Sequence, residues 1–176
     1  YLAFRYCAAL APSAAIVGSV GHVLRDLIDV LETNGHKPVD RAGDPWWQQI
    51  NEWRGLDCLR FDSAMMGGVM PFSYYIPPAC DPALGHKCPV LYLLHGLTGT
   101  YSDWERRTQL TDLLDAYRLI VVMPEGQNSW YGDAVGKASD KFESYILDDL
   151  VADVEKHYRA IGTRHGRAIA GLSMGG

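Results

Sequence analysis

Gly171-Leu172-Ser173-Met174-Gly175 is the segment of this 176-residue chain whose residue types and spacing could do chemistry. A serine with glycine two positions away on either side fits a tight strand-to-helix turn. Only small flanking residues let the backbone reverse closely enough to present the hydroxyl for attack on an acyl carbonyl. The run Gly166-Arg167-Ala168-Ile169-Ala170-Gly171 reads as a short buried strand entering that turn, the context such a motif needs. In a chain with 18 glycines the pentapeptide alone is a weak signal, and a Gly-rich turn bearing a surface serine is its plainer reading. A serine nucleophile also needs a base and an orienting acid, and only Met174, Gly175 and Gly176 follow it. We therefore expect these residues to be the N-terminal part of a longer chain, and to be almost inactive alone.

Charge and cysteine usage narrow the alternatives. The net charge is -5 and the 16 Lys and Arg are scattered, which leaves no basic footprint for nucleic acid or an anionic membrane. Arg5, Pro12, Ser13, Gly18 and Gly21 interrupt the apolar start, so no run approaches the roughly 18 residues that span a bilayer. Tyr1 to Ala15 is Ala-rich, as the remnant of a signal peptide would be, but lacks an initiating Met and a basic start. The cysteines are Cys7, Cys58, Cys80 and Cys88, with none at metal-ligand spacing, so no metal is expected. Cys80 and Cys88 flank the polar loop Asp81 to Lys87; they read either as a disulfide in an oxidising compartment or as two small reduced apolar residues.

The elements that would position Ser173 start late in the chain. Residues 1–54 read as a separate helical segment: Ser19 caps a helix from Val20 to about Thr33, and Asp44-Pro45 opens a second that ends at Gly55. The three tryptophans of that second region, Trp46, Trp47 and Trp53, suit an amphipathic helix docked on a core, and the segment is assigned no chemistry. From residue 55 the pattern changes. Leu56 to Ala64 and Val69 to Ile76 read as an antiparallel hairpin around Met65-Met66-Gly67-Gly68. Pro89 to Leu94 and Arg118 to Met123 are continuous apolar runs typical of strands buried on both faces. Between them a helix from Ser102, with Glu105 completing a capping box, carries Leu110, Leu113, Leu114 and Tyr117 inward. Asp140 and Glu143 cap a long helix whose inner face holds Phe142, Ile146, Leu150, Val154 and Ile161, while Asp148, Asp149 and Asp153 form its solvated face. A hairpin followed by strands alternating with helices predicts an α/β sheet covered on both faces.

Together, Val90 to Leu97 (with His95-Gly96), Asp103-Trp104, Val122 to Gly126, Asn128-Ser129-Trp130-Tyr131 and Ala170 to Gly176 resemble the esterases of the esterase D group. That group includes S-formylglutathione hydrolases, secreted carbohydrate-ester esterases and mycolyltransferases. The resemblance runs from about Cys58 to Gly176 and leaves residues 1–54 outside. It implies an α/β-hydrolase sheet, cut at the nucleophile elbow and preceded by a helical segment, with residues 55–176 as the N-terminal part of the esterase domain. It further implies a serine carboxylesterase without cofactor, acting on a small-molecule ester, a thioester or an acylated carbohydrate. Ser173 would be the nucleophile, the backbone N–H groups of Leu97 and Met174 the oxyanion hole, and Trp130 a wall of the substrate pocket, with core packing below the loop as the alternative for Trp130. The acid and histidine partners follow the serine in this family, so His95 is read as a turn residue and no carboxylate here as the triad acid. Family members often carry an aromatic where Cys80 and Cys88 stand; the paired change favours the disulfide, which tilts the compartment from cytoplasmic towards extracytoplasmic. Two rival readings stay open. One is an acyltransferase that passes the acyl group to a sugar hydroxyl; the other is a noncatalytic binding domain built on the same scaffold.

Overall fold

The computed structural model describes residues 57–137 and 139–176. The expected helices at 20–33 and 45–55, and the 1–54 segment they define, lie outside the described residues. Five strands form one sheet: β1 (Asp57–Ser63), β2 (Gly68–Tyr75), β3 (Val90–Leu94), β4 (Ile120–Pro124) and β5 (Arg167–Gly171). Their order is β1-β2-β4-β3-β5. β1 and β2 pair antiparallel from Asp57 opposite Tyr74 to Ser63 opposite Gly68, as the hairpin pattern predicts. β2 meets β4 antiparallel, while β3 runs parallel to both β4 and β5.

The apolar runs of β3 and β4 are buried throughout because each face of the sheet carries its own helical layer. Side chains alternate across a strand. Val90, Tyr92, Leu94, Ile120 and Val122 therefore pack on one side with Phe142, Tyr145, Ile146, Leu150 and Val154. Leu91, Leu93, Val121 and Met123 pack on the other with Trp104, Leu110, Leu114 and Tyr117. Each fully buried Val, Leu or Ile contributes about 1.5–3 kcal/mol of transfer free energy, so this alternation is what holds the layers together.

The helix expected from Ser102 is two short helices, α1 (Asp103–Arg107) and α2 (Leu110–Leu114). The break falls at Thr108, whose backbone is extended. Its hydroxyl donates to the Trp104 carbonyl and accepts the Leu110 N–H, giving the backbone an alternative to helical pairing. The capping box does not form: Ser102 is already in the helical region, so its hydroxyl makes no cap bond and lies 3.1 Å from Thr100 Oγ1. Leu113, expected inside, is 36% exposed.

The long helix exists as α3 (Phe142–Ser144), a π segment (Tyr145–Leu150) and α4 (Val151–His157) in succession. Its expected caps, Asp140 and Glu143, are replaced by a residue from outside the helix. Asp133 accepts the Ser144 N–H at 3.0 Å and the Ser144 hydroxyl at 2.6 Å. Those bonds hold its carboxyl below the usual range. Asp149 does not simply face solvent. It accepts the Ser63 hydroxyl at 2.5 Å and the Met65 N–H at 2.9 Å, fastening the hairpin to the π segment. Ile161 lies beyond the helix end.

Cys80 and Cys88 are disulfide-bonded and buried. Their loop is tied to the segment that follows α4, where Arg159 donates to the carbonyls of Gly85 and His86. β5 departs from its expectation as a buried strand. Among the described residues it pairs with β3 alone, and Ile169 is 61% exposed. Among the described residues no helix is long and apolar enough to cross a membrane.

Candidate active site

β3 is flanked by β4 on one side and β5 on the other, and the layers that follow β3 and β4 lie on opposite faces of the sheet. Such a reversal leaves a crevice at the carboxyl ends of the strands, where open α/β sheets bind ligands. The backbone is strained there. The five non-glycine residues with left-handed φ among the described residues are Thr98 (64°), Gln127 (47°), Trp130 (57°), Tyr131 (53°) and Ser173 (56°). They occupy the segments that leave β3, β4 and β5. A left-handed side-chain-bearing residue costs on the order of 1–3 kcal/mol, so a cluster of them marks a place where surrounding structure imposes geometry.

Ser173 sits on the turn after β5, exposed, at the start of a 3-10 turn (Ser173–Gly175). The flanking glycines are required by contact distance. A Cβ on Gly171 would fall 2.0 Å from the Gly175 carbonyl oxygen, and one on Gly175 would fall 2.6 Å from Leu94 Cβ. The elbow therefore closes against itself and against β3, and the Leu172 N–H donates to the Leu94 carbonyl at 3.2 Å.

The turn after β3 lies directly against this elbow. A Cβ on Gly96 would be 3.3 Å from the Leu172 carbonyl oxygen and 3.6 Å from Ser173 Cβ. Ser173 and Leu97 line one cavity of about 200 Å³, together with His95, Thr98, Trp104 and Leu172 and with the Asp103–Arg107 ion pair of α1. Met174 follows the serine and is buried; it does not line the cavity. Trp130 is also outside the lining. At 67% exposed it is not packed in the core below its loop, which overturns that alternative.

His95, the one imidazole in the cavity lining, is committed on both nitrogens. Nδ1 donates to the Gly96 carbonyl at 2.8 Å and Nε2 accepts the Gly126 N–H at 2.9 Å. A turn-bracing role agrees with these bonds. Glu125, at the end of β4, is buried with Oε1 3.3 Å from His95 Nε2. Burial would push its carboxyl up; the N–H groups of Gln127 and Tyr101, which donate to it, pull it down, and its pKa is lowered. Sequence reasoning assigned no role to Glu125, Asn128, Tyr131, Asp103 or Arg107. Their signal is position: each follows the carboxyl end of a parallel strand, where the loops of such a sheet converge. Asn128 Oδ1 accepts the Thr98 N–H at 2.9 Å and so joins the β3 and β4 loops.

A mixed sheet with a parallel core covered on both faces, and a left-handed serine on a glycine-closed turn at a strand end, defines the α/β-hydrolase esterase class. Residues 63–176 match the sequence profile of the family described as putative esterase, and the chain belongs to that family. An esterase of Mycobacterium tuberculosis (strain ATCC 25618 / H37Rv) is 36% identical over 165 residues, covering 89% of this chain and 33% of that protein. That overlap extends into the residues before 63, so part of the N-terminal segment has a counterpart there. Among solved structures, a ferulic acid esterase superposes with a TM-score of 0.60 at 31% identity, over 69% of this chain and 50% of that one. An S-formylglutathione hydrolase from Agrobacterium tumefaciens superposes with a TM-score of 0.56 at 27% identity, over 68% of this chain and 49% of that one. The chain spans about a third of the length of the first curated relatives it matches.

Proposed function

We propose that this chain supplies the nucleophile and the oxyanion-binding half of a serine carboxylesterase. Ser173 Oγ attacks the ester carbonyl carbon, and its proton passes to a base contributed by residues that follow the serine, as the family resemblance implies. The carbonyl oxygen, now an oxyanion, is held by the N–H groups of Leu97 and Met174. The tetrahedral intermediate collapses with cleavage of the bond to the alcohol, which leaves with the proton, and water then releases the acid from the acyl-enzyme. The observation that carries this reading is the left-handed φ of 56° at Ser173, held between glycines that admit no Cβ. Support for the oxyanion hole comes from Leu97 and Ser173 lining the same cavity. Leu97, Trp104 and Leu172 give that cavity an apolar side suited to a small or aromatic acyl group. Trp130 stands exposed on the loop that Asn128 ties to the β3 turn, which fits it for the rim of the substrate pocket.

The test uses the intact reading frame that contains these residues. Fluorophosphonate labelling and hydrolysis of p-nitrophenyl acetate are expected in the wild type and absent in Ser173→Ala, while residues 1–176 alone show neither. A wild-type chain that resists the label yet binds an ester or a glycan would replace this reading with a noncatalytic binding domain. Ester transferred to a sugar, with little free acid, would replace it with an acyltransferase.

A further inference from the structure

The oxyanion donor assigned to Leu97 sits beside the residue with the greatest backbone freedom. Gly96 abuts Leu172 and Ser173, where a Cβ would be tight at 3.3 Å, and a glycine loses more conformational freedom on ordering than any other residue. Two bonded clamps remove that freedom. The Gly96 carbonyl accepts His95 Nδ1–H at 2.8 Å and the Gly99 N–H at 3.0 Å. That carbonyl and the Leu97 N–H belong to one planar trans peptide, so they point in opposite directions, and fixing the carbonyl aims the N–H. The two preceding peptides are held by Tyr131. Its hydroxyl accepts the His95 N–H at 2.9 Å and donates to the His95 carbonyl at 3.2 Å.

Tyr131 is itself placed at a cost. It and Trp130 are consecutive left-handed residues, with φ of 53° and 57°. Ser129 holds them there: its hydroxyl accepts the Tyr131 N–H at 3.0 Å and donates to the Gly126 carbonyl at 2.6 Å. The Tyr131 ring lies so close over Gly126 that a Cβ there would be 2.2 Å from it, and Gly126 in turn donates to His95 Nε2. Burial raises the phenol above its ordinary range, so the hydroxyl keeps its proton and both of its bonds.

We propose that Tyr131 is a positioning residue for ester hydrolysis, which acts through His95 and Gly96 to aim the Leu97 N–H at the oxyanion. This inference rests on the esterase reading above. Tyr131→Phe removes both bonds to His95 and keeps the ring over Gly126. In the intact chain, with active sites counted by fluorophosphonate, kcat for an oxygen ester falls between about 10- and 100-fold with KM little changed. A matched thionoester, whose sulfur is a weak hydrogen-bond acceptor, loses much less, so the ratio of the two rates collapses. A purely structural role would change only the number of working sites, which the titration removes, or would slow both substrates by one factor. Equal loss on both substrates, or unchanged kcat, overturns the proposal. Should Tyr131→Phe fail to fold, Ser129→Ala loosens the same residue without touching its hydroxyl and must shift the ratio in the same direction. If the wild type shows no Ser173-dependent turnover, the esterase reading falls and this one with it; turnover that depends on Ser173 but not on Tyr131 leaves the esterase reading standing alone.

Discussion

Ser173, Gly171 and Gly175 act as one device at the residue scale: two glycines let the backbone touch β3 and itself, and the serine absorbs the strain. Because the proposed oxyanion donors are backbone groups, Leu97→Ala should keep most of the activity, whereas Ser173→Ala should abolish it; steady-state hydrolysis distinguishes the two. Gly171→Ala places a methyl into the Gly175 carbonyl and should destabilise the fold by about 3 kcal/mol or more, read from urea unfolding. Glu125 gives a pH signature. Its folded pKa lies below the ordinary 4.5, so its contribution is fully present above that value and is lost as pH falls through the lower folded value. Urea midpoints of wild type and Glu125→Gln should therefore differ at pH 7 and converge in strong acid.

Long-range bonds decide the elements. The disulfide closes a loop with a sequence separation of only 8, for which chain entropy predicts about 2–3 kcal/mol. Replacing Cys80 and Cys88 with serine should lower stability by at least that amount, since both positions are buried, and calorimetry would measure it. The hairpin depends on a partner far along the chain. Ser63 and Met65 donate to Asp149, and Asp149→Ala should loosen the turn at Gly67 and speed amide exchange at Met65 and Met66, whose N–H bonds run to Asp149 and Ser63. α1 and α2 are separate because Thr108 spends its hydroxyl on the backbone.

At the scale of the whole molecule, the sheet has one antiparallel flank and one parallel flank, and among the described residues its parallel edge is β5 with Ile169 exposed. An unpaired parallel edge beside an exposed apolar side chain invites association. Residues 1–176 expressed alone should therefore self-associate, visible in light scattering, whereas a longer chain that covers β5 should not. A monodisperse 176-residue product with a cooperative melt would count against this. The site lies where all three parallel strands end, so its geometry is a property of the sheet order and not of any one loop.

Some of this was legible in the residues because local rules carry it. Continuous apolar runs predict β3 and β4, a glycine-rich connection predicts the hairpin, and Gly-x-Ser-x-Gly after a strand predicts the elbow, each from periodicity or backbone sterics within a few residues. The turn role of His95 was implied by the family resemblance, in which the catalytic histidine follows the serine, and its hydrogen bonds agree with it. Capping and burial were not legible. Asp133 reaches Ser144 from outside the helix, Asp149 reaches the hairpin, and β5 is an edge strand among the described residues, because hydrogen-bond partners and neighbouring strands are chosen by tertiary position. The same holds for Tyr131. Nothing local marks a tyrosine hydroxyl as the partner of a histidine backbone 36 residues away; only packing the β4 loop against the β3 turn brings the two within 2.9 Å.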